Sequence, residues 1–350
     1  MWATDARREK QVMKIVVLCG GDSAERVVSL ASGDAVGEWL AVAGYEVLKL
    51  DPSRPEEVYR TDQPMAPAQI GAEPPLAPPQ QNFDPSRVSR FLSALERVAP
   101  DLAFPILHGG WGEDGIIQSL LEWIGLPYTG SGPLACALAM NKQKAKDVWR
   151  SFDVLTPNGR VVRCNEIVEG SAIATLSDLT LPVVFKPLHG GSTVGLTIVR
   201  RKEEIERAAQ AVANLGDDLL IETFINGREI TAVILGNEAM PLIEIRPHEG
   251  FYDYHNKYTS GRSDYLCPAP LQEELTEQTK KTALKAYDAL DCRGFARVDF
   301  LLTSENEIYC LELNTLPGMT RTSLVPKAAK AAGIEPPSLV DRIVKEAYGR

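Results

Sequence analysis

The 350-residue chain reads as a mixed α/β and α+β protein, a Rossmann-like front domain followed by two α+β units with a cleft between them. Three observations predict this. The opening alternates strand Lys14–Cys19, a Gly20-Gly21 turn, a helix Ser29–Ala43 stopped by Gly44, and strand Glu46–Leu50, a βαβ unit that requires a parallel sheet. A turn-rich break at Gly130-Ser131-Gly132-Pro133 then ends that alternation, and from Glu229 the pattern becomes mostly strands. The expected units are residues 12–133, 134–225 and 226–350.

Within the front unit, nine prolines between Asp51 and Pro85 rule out a continuous element and predict a long surface excursion over 51–85. Order resumes with helix Pro85–Val98, strand Leu102–Leu107, a glycine-rich turn, helix Gly115–Ile124 and a strand-like Pro127–Thr129. The middle unit reads as helical over Leu134–Phe152, then strand Pro182–Lys186, loop His189–Gly195, strand Leu196–Val199, helix Lys202–Leu215 and strand Leu219–Glu222. A polar, aromatic segment Phe251–Tyr265 precedes helix Glu273–Leu290, a hairpin, and closing helices Val325–Ala332 and Ser338–Tyr348. Nothing repeats at a fixed period.

Composition narrows the function. The net charge of −10 argues against nucleic acid or an anionic membrane as partner. The six cysteines (Cys19, Cys136, Cys164, Cys267, Cys292, Cys310) are scattered without a C-x-x-C pair, which fits small buried thiols in a reducing cytoplasm. No apolar run approaches the ~20 residues of a membrane span, and Met1–Met13 lacks the apolar core of a secretory signal.

The hairpin carries the chemistry. Phe295–Leu302 and Ile308–Asn314 flank the polar turn Thr303-Ser304-Glu305-Asn306. Residues two apart in a strand share a face, so Arg297 and Asp299 point one way, as do Glu312 and Asn314. A register that sets Asp299 opposite Glu312 sets Arg297 opposite Asn314. Two carboxylates and an amide then converge beside a guanidinium, an arrangement that costs energy unless a cation joins it. Hard oxygen ligands without Cys or His suit Mg²⁺ or Mn²⁺, shared with substrate phosphates. The competing reading is a half-exposed strand pair with ordinary surface charges.

A phosphate site is expected elsewhere. Apolar strand 182–185 ends in Lys186 and runs into Pro-Leu-His-Gly-Gly-Ser-Thr-Val-Gly, where Gly190, Gly191 and Gly195 let backbone N–H groups turn toward an anion. A lysine at the inner end of an apolar strand needs an anionic partner, which weighs against a plain hairpin turn. Lys142 offers a second contact, though taken singly it reads as a solvated helix lysine. Leu219–Glu222 with Phe224-Ile225 suits the edge of a slot for a flat base, with Glu229 near ribose hydroxyls. Gly110-Trp-Gly112-Glu-Asp-Gly115 matches G-x-G-x-x-G, but Glu113 and Asp114 put negative charge where a pyrophosphate would lie. No Walker motif occurs, and His108, His189, His248 and His255 lack zinc spacing.

Taken together, these blocks resemble the D-alanine–D-alanine ligase family of the ATP-grasp superfamily, from about Lys14 to Tyr348. The blocks are Gly20-Gly21-Asp-Ser-Ala-Glu25-Arg-Val-Val-Ser29, His108 through Gly115, Tyr128-Thr-Gly-Ser-Gly132, Lys186 through Gly195, Phe251 through Tyr258, and the hairpin with its Asn314-Thr-Leu-Pro-Gly318 tail. The Pro-rich 51–85 stretch departs from the pattern. The resemblance implies a Rossmann-like N-terminal domain followed by a two-part ATP-grasp fold with the nucleotide in the cleft. It implies ATP-dependent joining of two D-alanines through an acyl phosphate, for cell-wall precursors, in a cytoplasmic homodimer.

Residue by residue, it implies that Asp299, Glu312 and Asn314 bind two Mg²⁺ (or Mn²⁺) ions. Lys142, Lys186 and Lys257 face the ATP phosphates, and Glu222, Phe224 and Glu229 line the adenosine site. Arg297 and the Gly318 N–H stabilise an oxyanion. Glu25 meets the first D-alanine's ammonium with His108 near its carboxylate, and Ser323 and Leu324 seat the second D-alanine. Glu25, Ser192 and Tyr258 form a network ordering a lid, Phe251–Tyr265, whose five aromatics amid polar residues suit closure over a water-sensitive intermediate. Rival readings are a D-alanine–D-lactate (depsipeptide) ligase, disfavoured by the lid tyrosine Tyr258, another ATP-grasp carboxylate–amine ligase, an ATP-binding phosphotransferase, and a nicotinamide oxidoreductase built on Gly110–Gly115.

Overall fold

A computed structural model describes residues 12–67, 84, 86–172, 176, 178–191, 194–248 and 263–348. The front sheet has the order β3-β2-β1-β4, from Val58–Arg60, Glu46–Leu50, Lys14–Leu18 and Leu102–Pro105. β1 pairs parallel with both β2 and β4. A parallel pair needs a crossover, and helix α1 (Arg26–Val42) supplies it between β1 and β2. The turn into α1 uses Gly20 at φ +94°, where an added Cβ would stand 2.7 Å from the Asp51 carboxyl, so only glycine fits.

The Pro-rich stretch departs from expectation. Val58–Arg60 forms a strand antiparallel to β2, and the Met65 and Ala66 N–H groups donate to the Asp34 carboxylate. Residues 56–63 contain no proline, which leaves enough free N–H groups for an edge strand. Residues 68–83 lie outside the described residues. Helices α2 (Ser86–Val98) and α3 (Ile116–Trp123) complete the front unit.

The helical stretch 134–152 is two helices, α4 (Pro133–Met140) and α5 (Lys142–Ser151). Asn141 breaks it by leaving helical geometry (ψ 94°) so that its side chain can cap α5 by accepting from the Lys144 N–H. Both helices pack on the carboxy-terminal body: Ala139, Ala145 and Trp149 join Ala232, Ala283 and Val298 in one core, and the Trp149 indole donates to Ala286 O at 2.9 Å.

The central sheet runs β5-β8-β6-β7, from Gly159–Val162, Leu219–Thr223, Val183–Pro187 and Thr197–Val199, all antiparallel. Its first strand and the short helix α6 (Cys164–Val168) were not foreseen, because Gly-Arg-Val-Val is too short to show alternation. Helix α7 (Ile205–Ala213) covers one face with Ala208, Ala209 and Val212.

The third sheet follows β12-β11-β9-β13-β14, from Ser263–Leu266, Ile243–Pro247, Arg228–Leu235, Phe295–Leu302 and Ile308–Asn314, with β10 (Glu238–Ala239) on β9. Helix α8 (Glu273–Ala289) backs it. Helices α9 (Leu324–Ala331) and α10 (Pro336–Tyr348) return the chain to the front unit. There Leu339, Val340, Ile343 and Val344 share a core with Trp39 and Leu40 of α1. That apolar joint holds the front loops against the end of β14. No described helix is long and apolar enough to cross a membrane.

Candidate active site

The hairpin adopts the anticipated register: Asp299 opposes Glu312 and Arg297 opposes Asn314. A bulge follows immediately, between Asp299 and Phe300, after which the pairing resumes shifted by one residue. Arg297 grips Asp299 in a fork, Nε at 3.0 Å from Oδ1 and Nη2 at 2.9 Å from Oδ2. Asn314 Nδ2 donates to Asp299 Oδ2 at 3.3 Å, which turns its amide oxygen away from that contact. Thr231 of β9 donates its hydroxyl to Asp299 Oδ1 from behind.

Across the cleft stands a buried cage of charge. Glu222 of β8 accepts ion pairs from Lys146 of α5 at 2.6 Å and Lys186 of β6 at 2.8 Å, one on each carboxylate oxygen. Burial pushes the Glu222 carboxyl up, but the two lysine charges outweigh it and hold it below the usual range. Burial pushes the Lys146 amine down to about 8. Lys142, one helical turn earlier, donates its ammonium to Gly190 O and its backbone N–H to Leu188 O at 3.3 Å. Burial lowers the Lys142 pKa, with the Glu312 charge the strongest influence the other way.

The glycine loop is pinned at its root. His189 Nδ1 pairs with Asp217 at 2.8 Å and its Nε2 with Asn141 Nδ2 at 3.1 Å. A Cβ on Gly191 would lie 3.0 Å from Glu25 Oε2, so glycine permits the front unit's carboxylate to reach this loop. A cleft opens here, lined by Glu113, Met140, Lys142, Gly190, Glu312 and Asn314.

The front loops complete the wall. His108 is buried, with Nδ1 3.0 Å from Leu316 O and Nε2 3.2 Å from Ser32 Oγ. Both ring nitrogens are therefore spent inside the protein. Burial lowers its pKa and keeps it neutral. Glu113 accepts from the Gly109 N–H at 3.0 Å. Burial first, then the Glu25 charge, pushes its carboxyl up to about 7, against the Gly109 and Leu316 N–H groups and Arg297. Sequence reasoning counted Glu113 only as an obstacle to pyrophosphate and passed over Lys146 altogether.

Ser323 precedes α9 and its Oγ accepts from the Thr320 N–H at 3.0 Å; it lies 3.0 Å from where a Cβ on Gly318 would be. Leu324 is buried beside it. Phe224 stacks under Arg200, whose guanidinium lies 5.1 Å from the ring centroid. Glu229 sits half-buried on β9, between Ile245 and Leu301. Glu222, expected along the adenosine site, spends its carboxylate on the two lysines. Ser192, Lys257, Tyr258 and residues 251–262 of the lid segment lie outside the described residues. The six cysteines are free, and burial pushes the Cys136 and Cys292 thiols up to about 12.

An antiparallel central sheet, a second antiparallel sheet bearing acidic residues, and lysines lining the cleft between them define the class: the chain is an ATP-grasp enzyme. Residues 14–131 match the family described as D-ala D-ala ligase N-terminus, and residues 148–345 match D-ala D-ala ligase C-terminus. The chain belongs to the D-alanine–D-alanine ligase family. It is 43% identical over 343 residues to the D-alanine–D-alanine ligase of Desulforudis audaxviator, covering 97% of this chain and 100% of that one. Against the enzyme of Desulforamulus reducens it is 40% identical over 341 residues, 95% of this chain and 98% of the relative. Among solved structures, the Bacillus anthracis ligase complexed with ATP superposes with TM-score 0.74 at 30% identity, covering 97% of this chain and 98% of that one. A D-Ala:D-Ser ligase from Enterococcus faecalis also superposes with TM-score 0.74, at 28% identity, covering 96% and 100%.

Proposed function

We infer that the chain joins two D-alanines into D-alanyl-D-alanine at the expense of ATP, for peptidoglycan precursors. The observation that carries this reading is the facing pair of charged walls, an acidic hairpin on one side of the cleft and a lysine-bearing glycine loop on the other. A carboxylate resists attack by an amine. Its oxygen must first attack the γ-phosphorus, giving an acyl phosphate and ADP. The second amine then adds to the carbonyl, and the resulting oxyanion collapses as inorganic phosphate leaves with one former carboxylate oxygen.

Lys142 and Lys186 would hold the phosphates, and Lys257 would join them. Phe224 and Glu229 flank the adenosine, with Glu222 anchoring the lysines beside it. The hairpin fits Mg²⁺ (or Mn²⁺): two carboxylates in adjacent register, an amide oxygen turned outward, and a guanidinium as the positive charge now beside Asp299. Asp299, Glu312 and Asn314 would hold the ion or ions, which would supply positive charge against the terminal phosphates. Glu25 meets the ammonium of the first D-alanine. Arg297 and the Gly318 N–H meet the oxyanion, a contact worth about 3–4 kcal/mol. Ser323 and Leu324 seat the second D-alanine, while Glu25, Ser192 and Tyr258 order the closed lid. Residues 12–133, 134–225 and 226–350 form the three units, with α4 and α5 strapping the middle one to the last.

The test follows from the oxygen. With ¹⁸O in the D-alanine carboxylate, label is expected in released phosphate in step with dipeptide. Label transfer without dipeptide would make the chain a phosphotransferase. Assays with D-lactate and D-serine as acceptors fix the second substrate, and D-alanine is expected to give the highest kcat/KM.

A further inference from the structure

The turn after β14 hangs from a Ser–His pair on the front unit, alongside the Leu316 N–H that meets the Glu113 carboxylate. A carbonyl oxygen can only accept, so His108 Nδ1 carries the proton given to Leu316 O at 3.0 Å. The neutral ring's Nε2 is then an acceptor, and the Ser32 hydroxyl donates to it at 3.2 Å. Ser32 Oγ in turn accepts from the Met319 N–H at 3.2 Å. Leu316 and Met319 bracket Pro317, which has no N–H, and Gly318. Among the described residues nothing accepts from the Gly318 N–H. Ser32 is fully buried on α1 and His108 nearly so, so water cannot replace either bond cheaply.

We propose that Ser32 and His108 are positioning residues that hold the Leu316–Met319 turn so that the Gly318 N–H faces the reacting carboxyl. This rests on the oxyanion role given above to Gly318. It moves His108 from a substrate contact to a strut. It also couples the unit that receives the first D-alanine to the strand end that stabilises the transition state, because both ends of the strut must be in place together. Electrostatic stabilisation depends on donors aimed before the charge develops, and a donor displaced by an ångström loses most of its effect.

The test uses the full chain with Ser32→Ala, His108→Ala and His108→Asn, since an asparagine side-chain N–H can still reach Leu316 O. Steady-state kinetics are read alongside hydrogen exchange of the peptide spanning residues 314–321. Ser32→Ala and His108→Ala are expected to lower kcat about ten- to a hundredfold with the KM for ATP unchanged, to speed exchange of the Met319 amide in Ser32→Ala, and to show partial recovery in His108→Asn. A rise in the KM for D-alanine with kcat intact would return His108 to substrate binding. Faster exchange without a kcat change would leave the turn held but catalytically irrelevant, and would overturn the proposal. Arg297→Ala, run in parallel, separates the two readings. If it too leaves kcat unchanged the oxyanion assignment fails; if it alone lowers kcat only the strut fails. Should Ser32→Ala not fold, the graded pair at His108 still decides.

Discussion

Two knots of charge face each other across the cleft, and the chain builds them in different ways. The hairpin knot comes from two consecutive strands, where alternation converts sequence spacing into direction and register does the rest. The lysine cage draws Lys146, Lys186 and Glu222 from a helix and two strands that only the folded core brings together. In the sheet, Lys186 pairs with Leu220, so Glu222 lies diagonally along the same face. A hairpin can be rebuilt locally after a mutation. A cage of buried ions cannot, because each member's charge is tolerable only while the others remain. The hairpin is therefore expected to fail in function first and the cage in stability first.

The sharpest break of that comparison is Glu312→Gln. It removes one of two adjacent carboxylates from a half-exposed strand, so the chain should fold with an unfolding midpoint close to that of the unmodified protein. Its kcat should fall on the order of a thousandfold, the equivalent of several kcal/mol of lost phosphate stabilisation. Retained activity would mean that the hairpin carboxylates are ordinary surface charge. The complementary change, Glu222→Gln, leaves two buried ammonium groups without their counter-charge. Breaking a buried pair from one side costs about 3–5 kcal/mol, readable as a lowered denaturant midpoint. An unchanged midpoint would show that the cage is solvated and not a structural unit.

How much of this was legible follows the same division. The hairpin's ends, its register and its acidic patch could be read from alternation alone, because every determinant lies within one stretch of chain. The βαβ opening was legible for a similar reason. Lys186 was legible as a buried cation in need of an anion, but the anion itself was not. Glu222 was assigned to the adenosine wall, since nothing local ties strand 219–223 to strand 183–187. Lys146 was invisible as a single helix lysine. A signal did exist: Lys142, Lys146 and Trp149 recur on one face of α5 with Ala145, and all four are buried. Lysines on the apolar stripe of a helix are the mark of an internal partner. The environment of Glu113 was not legible, because part of it comes from Leu316, far along the chain.

The smallest effect is the most informative about how the two knots cooperate. Lys186 is bound to Glu222, and in the phosphate-binding role proposed above it would have to loosen that pair. Lys146 makes this affordable, since its charge stays on Glu222 when Lys186 leaves. Burial holds the Lys146 amine at about 8, well below an ordinary lysine. Below that pH Lys146 is charged and Lys186 is free to serve ATP; above it, Lys146 is neutral and Glu222 draws Lys186 back. The KM for ATP should therefore rise as pH passes through about 8, while kcat is little changed. Lys146→Met should show a KM for ATP raised about tenfold at neutral pH, roughly 1.4 kcal/mol, and should lack the rise at alkaline pH. The stability of the unmodified protein climbs over the same pH range. Between about 8 and the ordinary lysine value the unfolded chain holds the extra proton, so this group's contribution to folding grows with pH there. A KM that climbs while stability also climbs separates the cage's role in binding from simple alkaline unfolding. A flat KM between pH 7 and 9 would leave Lys146 a structural ion only.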